Sequence, residues 1–180
     1  ERQLRRAGRS QIRTTGETGL MAEVTLNGLT ARRAQRGDLP RLLELLADDE
    51  LGKNREGVGS DDPAYSRAFD VIDRDPNQQL LVAELDGRVV GMLQVTYIPG
   101  LSRRGAWRAN IEALRIDSRV RRRGIGAWLM ARALEHARKR GCRLAQLTSD
   151  RRRTEAHRFY ARLGFVDSHI GYKLVLEAAE

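Results

Sequence analysis

The feature that most constrains this chain is an arginine- and glycine-rich stretch between a predicted strand and a predicted helix. It reads Val-Arg-Arg-Arg-Gly-Ile-Gly-Ala-Trp over residues 120–128 and follows an apolar strand that ends near residue 116. Glycines let a ligand approach the main chain, and the first amides of a helix are unpaired donors at the positive end of its dipole. With arginines beside it, this junction predicts a site for a di- or polyphosphate group. A glycine-rich turn beside a solvated basic run is the alternative explanation.

Residues 121–126 resemble the [Q/R]-x-x-G-x-[G/A] signature of the GNAT superfamily of acyl-CoA-dependent N-acyltransferases, in which this loop holds the coenzyme A pyrophosphate. Two other phosphate motifs do not fit. A Walker loop needs a lysine after its glycines, and the dinucleotide fingerprint needs a third glycine where Leu129 stands. The resemblance implies that acetyl-CoA is bound by Arg121, Arg122, Arg123, Gly124, Ile125, Gly126 and Ala127.

A second segment, residues 154–165, resembles the N-x-x-A-x-x-F-Y-x-x-x-G-F stretch of the same superfamily. Alone, an aromatic stripe that ends in Gly-Phe is usually helix packing followed by a stop. Together with the glycine loop it extends the match over residues 111–165. The resemblance places Tyr160 where the family tyrosine protonates the departing thiolate. Arg153 replaces the family asparagine that contacts the pantetheine arm, so that role is not transferred.

The predicted fourth strand, residues 109–116, has an irregular apolar pattern. Ile111 and Ala113 share one face, whereas Leu114 and Ile116 fall on the other. A regular strand cannot move its core residues between faces, so either both faces are buried or a bulge lies near Ala113, and we favour the bulge. In the family that the loop resembles, the strand splays here and the pantetheine arm bonds along it. The resemblance therefore implies coenzyme contacts from Leu114, Arg115 and Ile116.

Acetyl transfer to an amine requires a base, an oxyanion donor and a proton for the leaving thiolate. The base is needed because an alkyl ammonium has a pKa of about 10.4. Glu112 is the candidate base, and a substrate-binding or salt-bridged carboxylate is the equally weighted alternative. The amide of Leu114 is the candidate oxyanion donor. Tyr160 is the candidate acid, and together with Glu112 it forms the predicted catalytic pair.

Length and composition favour one domain. The chain has 180 residues, of which 41% are hydrophobic, enough for one sizeable core. It contains no apolar run near the eighteen or so residues of a membrane span and no signal peptide, so we expect a cytoplasmic protein without a membrane partner. Cys142 is the single cysteine, and the three histidines are scattered, so no metal is expected.

The net charge of +9 invites a nucleic-acid interpretation. We disfavour it because the basic residues are overwhelmingly arginine, which a coding bias produces, and no aromatic residues are interleaved with them. Acidic residues instead concentrate between the first two predicted helices. In GNAT-like domains these helices and their connecting loop form a wall on the acceptor side. This wall predicts a small primary amine, more often cationic than neutral. A peptide acceptor, a non-catalytic acyl-CoA-binding regulator and a homodimer remain open. The acids of the predicted wall are Asp48, Asp49, Glu50, Glu56, Asp61 and Asp62.

The expected fold is α/β (α+β): one domain over residues 29–178, preceded by a disordered segment or an extension over residues 1–28. It has a mixed, mostly antiparallel sheet with a splayed pair of fourth and fifth strands and about four flanking helices. Asp86-Gly87 between two apolar runs predicts a hairpin. Ser149 or Asp150 is expected to cap the fourth helix. Strands are predicted at 29–34, 80–85, 88–98, 109–116, 142–148, 165–166 and 172–176, and helices at 38–46, 63–74, 124–140 and from 150 to Gly164.

Overall fold

The structure is a computed structural model that describes residues 28–48, 52 and 62–176. The described part contains five strands and four helices of nine residues or more, joined by short turns. The elements in chain order are β1 (Leu29–Arg33), α1 (Leu39–Ala47), α2 (Pro63–Arg74), β2 (Gln78–Leu85), β3 (Arg88–Ile98), β4 (Trp107–Ile116), α3 (Ile125–Lys139), β5 (Cys142–Leu147) and α4 (Thr154–Arg162).

The five strands form one mixed sheet in the order β1-β2-β3-β4-β5, which confirms the predicted architecture. All neighbours are antiparallel except β4 and β5, which are parallel. The predicted hairpin joins β2 to β3 through Asp86 and Gly87, with φ values of 50° and 77°. Two consecutive left-handed residues are what a two-residue hairpin turn of type I′ requires.

The parallel pair is splayed, as predicted. Pairing of β4 with β5 runs from Trp107 opposite Cys142 to Ile111 opposite Leu147, where β5 ends. Strand β4 continues to Ile116, so its last five residues have no β5 neighbour. The two strands therefore diverge and leave a gap beside the second half of β4.

A bulge interrupts β4 at the predicted position. Glu112 lies opposite Gln94 and Arg115 lies opposite Met92, so Ala113 and the residue after it face a single residue of β3. Ala113 has a φ of 51°, in the left-handed region that few residues other than glycine adopt. The extra residue keeps the apolar side chains of both halves of β4 on the same side of the sheet.

Two apolar cores lie on the two faces of the sheet. The larger core packs α3 against the sheet, and Leu129 and Met130 at its centre are fully buried. The smaller core packs α1 and α2 against the other face through Leu42, Leu45 and Phe69. Each such side chain contributes about 1.5–3 kcal/mol when fully buried. We call the two sides of the sheet the α3 face and the α1/α2 face.

The predicted strands at 165–166 and 172–176 are wrong. Both stretches lack regular structure, and the side chains of Val166, Tyr172 and Val175 are exposed. Their apolar and β-branched residues have the propensity for strands, but a strand needs a neighbour for its main-chain hydrogen bonds, and none pairs with them among the described residues. The cap of α4 is also not the predicted one, because Arg153 occupies the N-cap position. Asp150 instead accepts hydrogen bonds from the amide and guanidinium of Arg152.

No helix in the described ranges is both long enough and apolar enough to span a bilayer. Apart from Gly28, the predicted extension over residues 1–28 lies outside the described residues.

Candidate active site

The glycine loop has the geometry of an anion site. Arg122 and Gly124 have φ values of 63° and 80°, and Gly124 is the N-cap of α3. Left-handed residues within such a turn aim successive main-chain N–H groups toward one point. The buried Ile125 fixes the first turn of α3 against the core, so the helix begins directly behind the loop. Unpaired amides and the positive end of the helix dipole therefore face the same small volume.

Gly126 allows three elements to meet at the loop. A Cβ at this position would lie 3.5 Å from Cγ1 of Ile116 and 3.6 Å from Cζ of Phe159. The first turn of α3 thus packs closely against the end of β4 and against α4. These are ordinary van der Waals distances, so a Cβ at this position would contact Ile116 and Phe159 without a clash.

Arg121 contacts the protein rather than open space. Its guanidinium donates to the main-chain oxygen of Ile116 at 3.0 Å and to the carboxylate of Asp48 at 2.7 Å. Asp48 also accepts hydrogen bonds from the amide and hydroxyl of Ser118 at 2.9 and 3.1 Å. Arg122 and Arg123 are exposed and form no ion pair with another described residue. The loop arginines therefore divide into one that braces the loop and two whose charge is available to a ligand.

A buried carboxylate, that of Asp117, supports the start of the loop. It is 5% exposed and accepts hydrogen bonds from the amide of Arg119 at 2.9 Å and from its guanidinium at 2.7 Å. The guanidinium of Arg41 on α1 also donates to it. The hydrogen bonds from Arg119 and the charge of Arg41 hold the pKa of Asp117 well below its usual range, despite the opposing effect of burial. The sequence analysis missed this residue, although an acid directly after an apolar strand was the available signal.

Replacing Asp117 with asparagine is expected to lower the free energy of unfolding by about 2 kcal/mol at neutral pH, because two guanidinium groups lose their charged partner. The pKa of Asp117 is lowered by folding, so its stabilisation is present above the unfolded value of 3.8 and is lost as the pH falls through the folded value. Urea unfolding of the wild type and the variant, followed by circular dichroism at several pH values, measures both effects. A difference that does not shrink in acid contradicts the assignment.

Tyr160 lies on α4 and packs into the core on the α3 face. Its ring makes edge contacts with Phe159 and Phe165, with centroids 5.3 and 6.0 Å apart. Burial raises the pKa of Tyr160, and the positive charges of Arg115 and Arg153 oppose that shift without cancelling it. The hydroxyl therefore stays protonated at neutral pH and can donate a proton. Arg153, which replaces the family asparagine, is close enough to act on it electrostatically.

Glu112 lies on the other side of the gap from Tyr160. It is exposed on the α1/α2 face of β4, directly opposite Gln94. Leu114 follows the left-handed Ala113 in the bulge and packs against the core on the α3 face. The predicted base and the predicted acid are thus on opposite faces of the sheet.

Two acids of the predicted acceptor wall fall within the described residues, and both are engaged locally. Asp48 braces the glycine loop, and Asp62 caps α2 by accepting a hydrogen bond from the amide of Ala64 at 2.7 Å. The other four, residues 49, 50, 56 and 61, lie outside the described residues. The cationic-acceptor prediction therefore draws no support from the two acids that the structure describes.

Several known proteins resemble this chain in sequence and fold. An aminoalkylphosphonate N-acetyltransferase of Salmonella typhimurium is 34% identical over 102 residues, which are 57% of this chain and 66% of that protein. An uncharacterized N-acetyltransferase of Archaeoglobus fulgidus is 32% identical over 139 residues, which are 72% of this chain and 88% of that protein. The crystal structure of a transcriptional regulator from Bacillus halodurans C-125 is 46% identical, with a TM-score of 0.80, and the match covers 82% of this chain and 99% of that one.

The chain spans slightly less than two thirds of the Salmonella relative. The acetyltransferase (GNAT) family model matches residues 39–165, which include both resembling segments, the splayed strands and the glycine loop. This match covers more than half of the chain, and it ends at Phe165, directly after the glycine that follows α4. The chain belongs to the acetyltransferase (GNAT) family.

Proposed function

We propose that this protein is an N-acetyltransferase that moves the acetyl group of acetyl-CoA to the primary amine of a small molecule, by direct attack in a ternary complex. The observation that carries the proposal is the joint placement of the glycine loop and the gap beside β4. The loop offers converging amides for the pyrophosphate. The half of β4 that has no β5 neighbour leads from the loop to the end of β5. A pantetheine arm laid along β4 would bring the thioester to that point.

The proposed reaction follows from the groups around the gap. The amine nitrogen attacks the thioester carbonyl carbon, and its proton passes to Glu112 directly or through water. The amide of Leu114 donates to the oxyanion of the tetrahedral intermediate. When the carbon–sulfur bond breaks, the sulfur takes the proton of the Tyr160 hydroxyl and leaves as free coenzyme A. Glu112 then releases its proton to solvent and Tyr160 recovers one from solvent, so the products are the N-acetyl amide and free coenzyme A.

The main-chain contacts proposed for the coenzyme divide along its length. The stretch of β4 from Leu114 to Ile116, which has no β5 neighbour, would bind the pantetheine arm. Residues 121–127 would bind the phosphates. Arg122 and Arg123 add charge there, whereas Arg121 holds the loop in shape through Asp48. The Salmonella relative is named for the acetylation of aminoalkylphosphonates, which supports a small amine as acceptor.

A second candidate is a regulator that binds acyl-CoA without turnover. It is favoured by the Bacillus structure, which is described as a transcriptional regulator and is 46% identical to this chain. The same fold serves both roles, so the fold itself does not separate them. An N-acetyltransferase acting on peptides is a further form of the enzymatic proposal.

The test is release of free thiol from acetyl-CoA in the presence of a panel of amines that includes amino sugars, aminoalkyl phosphonates, polyamines and short peptides. Release that depends on both acetyl-CoA and one small amine, with the N-acetyl product identified by mass spectrometry, supports the proposal. Tight acetyl-CoA binding by calorimetry without thiol release on any amine supports the regulator instead. Release of thiol with peptides alone supports a peptide as the acceptor instead of a small molecule.

A further inference from the structure

A row of hydrogen-bonding side chains crosses the α1/α2 face of the sheet. Gln78, Thr96, Asn110 and Gln146 lie side by side in register on β2, β3, β4 and β5. The hydroxyl of Thr96 donates to the amide oxygen of Gln78 at 2.9 Å, and the amide nitrogen of Gln146 donates to Asn110 at 3.3 Å. We call these four residues the amide row. Helices α1 and α2 cover other residues of this face, among them Leu80, Val82 and Met92.

The amide row borders the point where the gap opens. Its pair Asn110–Gln146 is followed by the pair Ile111–Leu147, which is the last between β4 and β5. Glu112 comes next on the same face as Asn110, because side chains two residues apart in a strand point the same way. A molecule lying on the row would therefore have one end beside Glu112 and beside the place proposed for the thioester.

Arg108 lies at the other end of the same line. It shares the face of Asn110, and it makes no ion pair or hydrogen bond with another described residue. Its Nε atom is buried and has no partner in the described part of the chain. The terminal guanidinium nitrogens of Arg108 are not among the buried atoms and also have no partner in the described part of the chain, so their charge is available to an anionic ligand. No carboxylate among the described residues supplies one.

Glu112, Asn110 and Arg108 are spaced evenly along β4, in that order. Alternate residues of a strand are about 7 Å apart, so Glu112 and Arg108 are separated by about 13 Å at their Cα atoms. The first is a carboxylate, the middle one is an amide in a hydrogen-bonded row, and the last is a guanidinium. A sheet face that merely meets solvent carries polar residues as well. It does not by itself place a carboxylate, a hydrogen-bonded amide and an unpaired guanidinium in one line.

We propose that the acceptor binds along β4 as a polyhydroxylated amine that carries an anionic group, such as an amino sugar phosphate. Its amine lies at Glu112, its hydroxyl groups hydrogen-bond to the amide row, and its anionic group pairs with Arg108. This inference rests on the proposed acetyl transfer and names the substrate class of that site. The acidic wall predicted a positive charge at the far end of the acceptor, whereas Arg108 predicts a negative charge there.

The test compares two pairs of acceptors that share an amine and differ in an anionic group: glucosamine with its 6-phosphate, and 2-aminoethanol with 2-aminoethylphosphonate. The wild type should prefer the anionic member of at least one pair by about tenfold or more in kcat/KM, since a charge-assisted hydrogen bond contributes about 1.5–3 kcal/mol. Arg108→Gln should remove the preference through KM, and Arg108→Lys should restore part of it. Equal rates within both pairs would overturn the acceptor class while leaving acetyl transfer intact.

The matched control is Arg138→Gln on α3. Arg138 is exposed, and α3 packs on the face of the sheet opposite the amide row. This variant should keep the wild-type preference, and a preference lost equally in both variants overturns the role of Arg108. Asn110→Ala should raise KM for the glucosamine pair more than for the 2-aminoethanol pair, because only the sugar has several hydroxyl groups. Circular dichroism checks that each variant is folded.

A binding measurement separates this proposal from failure of the proposed reaction. The four acceptors are titrated by calorimetry into the protein saturated with coenzyme A, in which no acetyl group is available. Anionic members that bind more tightly, with the advantage lost in Arg108→Gln, support the site even where no acceptor is acetylated. Absence of binding together with absence of turnover for all four overturns the proposed acceptor class.

Discussion

Replacing Gly124 with valine is expected to lower the affinity for acetyl-CoA by at least about a hundredfold, or about 3 kcal/mol. Gly124 has a φ of 80°, where a β-branched residue is strained, and its backbone forms part of the converging amides. Relief of the strain would rotate those amides away from the phosphates, and the added methyl groups would occupy the space that the phosphates need. Calorimetric titration of acetyl-CoA into the wild type and the variant measures the loss.

Gly141 provides a matched control for this prediction. It follows the other end of the same helix, has a φ of 78° and has open space around its position for a Cβ. Gly141→Val should therefore impose a similar backbone strain and lower the melting temperature, while leaving acetyl-CoA affinity unchanged. If both variants bind acetyl-CoA as tightly as the wild type, the glycine loop is not the phosphate site.

Tyr160→Phe is expected to lower kcat by about a hundredfold or more while acetyl-CoA affinity stays the same. Only the hydroxyl is lost, and the ring keeps its contacts with Phe159 and Phe165. Burial raises the pKa of Tyr160 above its ordinary value of 10.0, so the acid remains protonated across the neutral range. The rate of the wild type should therefore not decline below pH 10 through loss of this proton. Steady-state rates with saturating amine, measured beside coenzyme binding, give both quantities.

The control for this variant is Tyr172→Phe, since Tyr172 is 90% exposed and should leave kcat unchanged. Full turnover in Tyr160→Phe would show that Tyr160 is only a packing residue.

Glu112→Gln tests the base in the same assay. Loss of a carboxylate base should remove the acidic limb of the pH–rate profile of kcat/KM, and an unchanged profile would assign Glu112 to acceptor binding alone.

Local patterns predicted those parts of the fold whose cause is local. The change of apolar phase in β4 left two explanations, burial of both faces or a bulge, and the favoured bulge is confirmed because Ile111 and Ile116 pack into the same core. The glycine loop and the start of α3 were predicted from two glycines before an apolar stripe. The splay was implied by the family resemblance, and it follows in the structure from β5 ending at Leu147 while β4 continues.

The parts that sequence reasoning missed depend on residues far apart in the chain. Asp48 was assigned to an acceptor wall because of its acidic neighbours, but its partner Arg121 is 73 residues away. The amide row joins four strands, and its members look like ordinary solvent-facing residues when each strand is considered alone. The C-terminal strands were wrongly predicted because Tyr172 and Val175 have strand propensity but pair with no other strand in the described part of the chain.

The contact of Asp48 with the glycine loop links the loop thermodynamically to the end of α1. One carboxylate at the end of α1 holds both Ser118 and Arg121, so the arrangement of the loop and that of the end of α1 are not independent. A ligand that stabilises the loop in this arrangement must stabilise the end of α1 by the same coupling free energy, because linkage is reciprocal. We therefore expect acetyl-CoA to slow amide hydrogen exchange in the last turn of α1 in the wild type and to have no such effect in an Asp48→Asn variant.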